Sequence, residues 1–142
     1  MNENESQTAA LESCFSRDPR LADISGRVAL FRAMPGDYLD RFGRDRVSCL
    51  QSYKPLADQL ARLGFDPLTP TEGPVSLAIV FATKHKEEVL YHIAQAVERL
   101  EEGGLLMVSA ANDLGAASLE RRCSEVMGHV ESYSKHKCRV FR

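Results

Sequence analysis

Apolar runs and amphipathic segments alternate along the chain, most clearly in its second half. Residues 75–82 form a continuous apolar run, the pattern of a strand whose sheet is covered by helices on both faces. In residues 86–102 the apolar side chains recur at helical spacing. The pair Gly103-Gly104 then precedes a second apolar run, residues 105–108, which opens a strand predicted over residues 105–109. This order predicts strand, helix and strand.

The chain closes with a helix and two short strands. Leu119 and Cys123 lie on an apolar stripe that predicts a helix ending at Gly128. Residues 130–133 and 137–141 then alternate between polar and apolar, which is typical of a hairpin. The sequence therefore predicts antiparallel strands at the end of the sheet.

The first half repeats the alternation more weakly. Strands are predicted at residues 27–31 and 47–50, and a helix begins near Pro55, with Gly64 suited to the position just after its end. Helices that alternate with strands predict an α/β fold, a mostly parallel sheet with helices on both faces.

The N-terminal residues lack this alternation. Residues 1–8 are predicted to be a tail and residues 9–15 a short helix. We therefore divide the chain into residues 1–24, a tail with a short helix, and residues 25–142, the α/β domain.

Composition narrows the class of protein. The 142 residues are 44% hydrophobic and 27% charged, with a net charge of -2, as expected for one globular domain. No apolar run approaches the roughly 20 residues of a membrane span, and the acidic N-terminus is unlike a signal peptide. A cytoplasmic protein with no membrane partner is expected. The four cysteines and four histidines lack metal-ligand spacing, so we predict buried thiols and no metal site.

The loop after the first strand is where a nucleotide-type cofactor would bind in such a sheet, because glycines there allow close approach of the ligand to the backbone. Here residues 31–37 contain one glycine, a proline and the bulky Met34. The second strand also lacks an acidic residue at its end that could bind a ribose, because Leu50 is followed by Gln51-Ser52. We expect no cofactor on this chain. Asn112 and Asp113, after a later strand, are predicted to cap a helix or turn, with ligand contact as the alternative.

Two basic clusters are the remaining candidates for a site. Lys84 and Lys86 follow the long apolar strand, and Lys135, Lys137 and Arg139 lie at the predicted hairpin. Such clusters attract phosphates, but solvated basic side chains are the alternative interpretation.

These segments resemble one protein family. The segment 82–88, the Gly103-Gly104 pair, residues 109–113 and the basic close 133–141 are similar to the N-terminal domain of bacterial ribosomal RNA guanine-N2 methyltransferases. The resemblance implies a Rossmann-like sheet of the class I methyltransferase type. It also implies that S-adenosylmethionine binds to a separate catalytic domain, and that ribosomal RNA and that catalytic domain are the partners.

In that family the N-terminal domain has lost its cofactor site and supports the catalytic domain and RNA recognition. The resemblance therefore implies no catalytic residue here, and RNA contacts through the five basic residues Lys84, Lys86, Lys135, Lys137 and Arg139. The chain departs from the family pattern at two places. Thr83 replaces the usual proline, and Ala116-Ala117-Ser118 replaces a basic helix start, with Arg121 and Arg122 one turn later.

Two alternatives stay open at this point. One is a small S-adenosylmethionine-dependent methyltransferase in its own right, with dimerisation, and so a homo-oligomer, as one way to complete it. The other is a protein-interaction module that makes no RNA contact.

Overall fold

The computed structural model describes residues 3–18, 21, 24–67, 73–127, 132–135 and 138–141. The helices in these residues are α1 (Glu3–Arg17), α2 (Lys54–Arg62), α3 (Lys86–Arg99) and α4 (Ala116–Met127). The strands are β1 (Val28–Phe31), β2 (Val47–Leu50), β3 (Val75–Phe81), β4 (Leu100–Ala111), β5 (Ser132–Lys135) and β6 (Cys138–Phe141). Short 3₁₀ turns cover Asp37–Arg41, Arg44–Arg46 and Asn112–Leu114.

The strands form one sheet in the order β2-β1-β3-β4-β6-β5. The first four strands in this order run parallel, whereas β6 is antiparallel to both β4 and β5. The predicted α/β fold with a parallel sheet flanked by helices is therefore confirmed. After β2 the chain crosses back over β1 to β3, so the strand order reverses between β1 and β3. This reversal is the position where open α/β sheets bind ligands.

Alternate residues of the strands bury their side chains in two separate cores. Leu30, Ile79 and Met107 lie in the core under α1 and α2, whereas Ala29, Val80 and Val108 lie in the core under α3 and α4. Each large apolar side chain buried in this way contributes about 1.5–3 kcal/mol. The continuous apolar run of β3 is explained by these two cores, because both of its faces are covered.

Helix α1 is longer than the sequence pattern predicts. It begins at Glu3, so residues 3–8, which the pattern predicts to be a tail, are helical. The reason is tertiary: Ala10, Leu11 and Phe15 are buried in the first core, and the polar Gln7 is also buried. The division of the chain at residue 24 stays a prediction.

Helix α3 is shorter than predicted. It ends at Arg99, because Leu100 is extended and pairs with Val75 at the start of β4. The Gly103-Gly104 pair therefore lies within β4 rather than before it. Val97 is one of the apolar residues whose helical spacing predicts an apolar face for α3, but its side chain is 42% exposed.

The predicted ends of α2 and the predicted buried thiols are confirmed. Pro55 lies in the first turn of α2, and Gly64 follows the helix with a φ of 91°. Cys14, Cys49 and Cys123 are buried free thiols, and burial raises the pKa of Cys49 to about 12. Among the described residues no group of side chains could hold a metal ion. None of the described helices is both long and apolar enough to span a bilayer.

Candidate functional site

Helix α1 fills the space above the carboxyl ends of β3 and β4. The buried amide of Gln7 donates through Nε2 to the carbonyl oxygen of Ala82 at 2.8 Å and to that of Ser109 at 3.2 Å. Ser109 Oγ in turn donates to the carbonyl oxygen of Gln7 at 2.9 Å. Thr8 closes the neighbouring position, because a Cβ placed on Gly36 would lie 3.1 Å from the Thr8 Cβ. Helix α1 therefore occupies the sheet edge beside the strand-order reversal.

The loop after β1 is closed by its own contacts. Ala33 and Met34 are buried, and the buried Gln51 donates through Nε2 to the Ala33 carbonyl at 2.9 Å. The Ala33 N–H donates to the carbonyl of Leu50 at 3.0 Å. The hydroxyl of Tyr38 donates to the Met34 carbonyl at 2.5 Å, and complete burial raises the pKa of Tyr38 well above its usual value.

These residues do not fit a nucleotide-type cofactor. Such a cofactor needs backbone N–H groups free to meet it and glycines that allow close approach. Here the Ala33 N–H donates to the carbonyl of Leu50, and the Met34 side chain is buried in the first core. Gly36, the one glycine of the loop, packs against Thr8.

Arg32, at the end of β1, forms an ion pair with Glu88 on α3. Its backbone has a φ of 57°, a left-handed conformation that is uncommon for any residue except glycine. Arg32 Nη2 lies 2.9 Å from Glu88 Oε2, and Arg32 Nε also donates to Glu88 Oε1. The hydrogen bonds raise the pKa of Arg32 and lower that of Glu88.

His92 lies one turn after Glu88, with its ring 5.7 Å from the ring of Phe31. It is 7% exposed, and its Nδ1 has no hydrogen-bond partner in the described part of the chain. Burial lowers the pKa of His92, although Glu88 acts in the opposite direction. The sequence offers no sign of this buried histidine beyond its helical spacing.

Lys84 and Lys86 lie where the sequence predicts, at the carboxyl edge of the sheet. Lys84 is in the turn after β3 and Lys86 is the first residue of α3, and both are exposed. Thr83 shapes the turn, because its Oγ1 accepts a hydrogen bond from the His85 N–H at 3.2 Å. Asn112 and Asp113 form an exposed 3₁₀ turn after β4.

Strand register places Lys135 at the same sheet edge. Ala111, the last residue of β4, pairs with Cys138 of β6, and Cys138 pairs with Lys135 of β5. Arg139 pairs with Ala110 and Ser134, one position further into the sheet. Neighbouring strands are about 4.8 Å apart, so Lys135 lies roughly 14 Å from the end of β3 at the level of the backbone. Lys137 lies outside the described residues.

Sequence reasoning missed a small pocket at this edge, between the starts of α3 and α4. Lys86 lines it together with Ser118 and Arg122, which are four residues apart on one face of α4. The sequence feature that could have indicated this pocket is the basic pair Arg121-Arg122, which follows Ala116-Ala117-Ser118. This pair lies one turn too late to form a basic helix start, so the sequence pattern alone does not mark it as part of a site.

The parallel sheet, its strand order and its closing antiparallel strands define a methyltransferase-like α/β domain. The chain belongs to the methyltransferase small domain N-terminal family, whose model matches residues 45–142. No curated protein sequence matches the chain significantly.

Solved structures share the fold at low sequence identity. The Thermus thermophilus 16S rRNA N2 G1207 methyltransferase RsmC, solved with AdoMet and guanosine, superposes with a TM-score of 0.64 at 21% identity, over 88% of this chain. The chain spans 38% of the length of that enzyme. A precorrin 8W decarboxylase from Methanobacterium thermoautotrophicum gives a TM-score of 0.60 at 14% identity, over 92% of this chain and 86% of its own. SMU.1697c of Streptococcus mutans, solved with SAH, gives a TM-score of 0.56 at 13% identity. The match covers 93% of this chain and 95% of SMU.1697c.

Proposed function

We propose that this chain is the non-catalytic methyltransferase-like domain of an rRNA guanine-N2 methyltransferase. In this role it binds no S-adenosylmethionine. It supports a catalytic domain, which carries the cofactor, and contributes to recognition of the substrate RNA. The family match and the likeness to RsmC support the class of enzyme, and the chain spans a little over a third of RsmC, as one domain of a larger protein would.

The filled switch point is the observation that carries the proposal. Gln7 of α1 takes up the carbonyls of Ala82 and Ser109, and the buried Met34 closes the loop after β1. A cofactor would have to displace a helix and break buried hydrogen bonds, each costing about 1–3 kcal/mol when left unmade. Such a site favours a structural role over catalysis.

The basic residues along the carboxyl edge support RNA contact. Lys84 and Lys86 are exposed at the end of β3, and Lys135 ends β5 at the same edge. Lys137 and Arg139 follow in sequence. Lysine and arginine in a row along one edge neutralise successive phosphates and release their counterions. With a net charge of -2 for the whole chain, RNA affinity must come from such a local cluster.

Titrations with S-adenosylmethionine and with a ribosomal RNA fragment test the two halves of the proposal. We expect no heat of binding with the cofactor, and RNA binding that weakens as salt rises. The variant with Lys135→Glu and Lys137→Glu should bind RNA more weakly with a shallower salt dependence. Arg62→Glu, an exposed change at the end of α2, is the control. Micromolar cofactor binding would overturn the first half, and unchanged RNA binding in the folded double variant would overturn the role of these two lysines.

A working small methyltransferase is the second candidate. It is favoured by SMU.1697c, which was solved with SAH and is matched over 95% of its length. In that case the cofactor titration gives saturable binding, and S-adenosylmethionine raises the melting temperature. The cofactor would enter only if α1 moved away from the sheet edge. Gln7→Ala removes the hydrogen bonds that hold α1 there, so it should strengthen cofactor binding.

A protein-interaction module without RNA contact is the third candidate. A mostly apolar groove of about 520 Å³ lies between α3 and α4. Its lining residues are Leu90, Ile93, Ala94, Val97 and Cys123, together with Arg122 and Glu125. Tyr91 nearby is 62% exposed. Sedimentation of the chain with and without RNA tests it, because self-association without RNA binding would favour this role, including a homo-oligomer.

A further inference from the structure

The small pocket between the starts of α3 and α4 has a distinctive lining. Four polar side chains surround it: Thr83, Lys86, Ser118 and Arg122. Val89 and Leu119 form its apolar floor. The lining therefore supplies two cations and two hydroxyls, all hydrogen-bond donors, from two helices and a turn.

The charge of the pocket is unbalanced. No carboxylate lines it, and neither Lys86 nor Arg122 makes an ion pair with the residues that the structure describes. The nearby Glu88 is held by Arg32 instead.

The Lys86 side chain also lies close to the N-terminus of α4. A Cβ placed on Gly115 would lie 3.3 Å from the Lys86 Nζ, so the ammonium group lies over the start of α4. The first N–H groups of a helix have no acceptor within it, and the helix dipole adds positive potential there. The Lys86 ammonium and the start of α4 therefore both add positive potential at this end of the pocket, and a bound anion would relieve their repulsion.

The size of the pocket limits what the anion can be. The cavity is about 50 Å³, enough for a few water molecules. Sites for drug-sized ligands measure roughly 300–1,000 Å³, so a nucleoside would not enter. A single tetrahedral oxyanion matches both the volume and the set of donors.

We propose that this pocket binds one phosphate group, held by Lys86, Arg122, the hydroxyls of Thr83 and Ser118, and the first turn of α4. The inference deepens the proposed function, because a phosphodiester of the bound RNA is then the source of the phosphate. Arg122 is then a phosphate-binding residue. It substitutes for the basic helix start that Ala116-Ala117-Ser118 replaces in this chain. Lys84, which does not line the pocket, would contact a different phosphate.

Inorganic phosphate is the first probe, added to the full chain at constant ionic strength against chloride. Amide shifts at residues 115–118 in a ¹⁵N NMR titration should saturate. Arg122→Gln and Lys86→Gln should abolish the saturation, and Arg121→Gln, an exposed change next to the pocket residue, should preserve it. Shifts that do not saturate, or that are equal in Arg122→Gln and Arg121→Gln, would overturn the pocket.

RNA is the second probe, and its result is independent of the first. When a protein neutralises one phosphate fewer on a single strand, the slope of log K against log salt becomes shallower by about 0.7. Arg122→Gln should show this reduction, and Arg121→Gln should retain the wild-type slope. RNA binding with a wild-type slope in Arg122→Gln overturns the pocket as an RNA contact but leaves the proposed function standing. Saturable phosphate binding by a chain that binds no RNA overturns the RNA source and the proposed function together.

Discussion

Gln7 and Ser109 are joined by hydrogen bonds in both directions across the carboxyl edge of the sheet. The Gln7 amide donates to the Ser109 carbonyl, and the Ser109 hydroxyl donates to the Gln7 carbonyl. The two residues are 102 positions apart in sequence. This pair fixes the first helix to the fourth strand, beside the apolar contacts that Leu11 and Phe15 make in the first core.

Replacing Gln7 with methionine should reveal how much this fixation contributes. The methionine keeps the length of the side chain but donates nothing, so the buried carbonyl of Ala82 loses its donor from α1. We expect a loss of about 1–3 kcal/mol in the free energy of unfolding, measured by urea denaturation. Gln59→Met, at an exposed position of α2, is the matched control and should change stability by less than about 0.5 kcal/mol. Equal effects of the two changes would mean that the hydrogen bonds of Gln7 contribute nothing net.

The ion pair between Arg32 and Glu88 gives a second prediction, with a pH signature. The side chains are 20% and 33% exposed, so solvent screening limits the pair to about 1 kcal/mol even with two hydrogen bonds. Glu88→Gln should lower the free energy of unfolding by that amount at neutral pH. Glu87→Gln, the exposed neighbour, should have little effect.

The sign of the pH dependence follows from the pKa of Glu88, which is lower in the folded protein than its ordinary value of about 4.3. The contribution of the pair is complete above that value and is lost as the pH falls through the lower, folded pKa. The stability gap between the wild type and Glu88→Gln should therefore close in acid. A gap that is constant down to the lowest pH at which the protein stays folded would contradict this account.

The buried His92 should make the free energy of unfolding depend on pH in a higher range than Glu88 does. Burial lowers its pKa in the folded protein, so the unfolded chain binds a proton at a higher pH than the folded one. Stability should fall as the pH drops from about 6.5 towards the lower folded pKa, because protonation favours unfolding there. His92→Leu should remove this slope, whereas His85→Leu, at an exposed position, should retain it. Chemical denaturation across the range from mildly acidic to mildly alkaline pH measures the difference, and parallel curves for the two variants would contradict it.

The parallel strands could be predicted from sequence because their signal is local. Residues 75–81 are apolar almost throughout, as a strand between two cores requires, and Pro55 and Gly64 mark the ends of α2 by backbone preference alone. Helix α1 could not be predicted to begin at Glu3, because its buried polar residue, Gln7, gains its burial from strands far along the chain. Gln7 meets Ala82 at a separation of 75 residues.

The candidate site also contains residues that the sequence predicts and residues that it does not. Lys84 and Lys86 could be placed at the carboxyl edge because they directly follow β3. The approach of Arg122 to Lys86 depends on how α4 is rotated against α3, and no local pattern encodes that rotation. The early end of α3 has a similar cause, because pairing of Leu100 with Val75 replaces a helical turn that the apolar spacing favours.

Gly115 and Gly103 offer a matched pair of substitutions for the pocket. Both have a left-handed backbone, with φ values of 80° and 82°, so a change to alanine at either position costs about 1–2 kcal/mol in the free energy of unfolding. Their surroundings differ. Alanine at Gly115 would lie 3.3 Å from the Lys86 side chain, whereas nothing lies within 4 Å of the corresponding atom at Gly103.

The two variants should therefore lose similar stability, but only Gly115→Ala should weaken phosphate binding, because the new methyl group enters the pocket that Gly115 lines and crowds the Lys86 ammonium. Urea denaturation measures the first quantity and phosphate titration the second. If Gly103→Ala weakened phosphate binding as much, the loss would reflect general destabilisation. Lys86 would then have no specific place in the pocket.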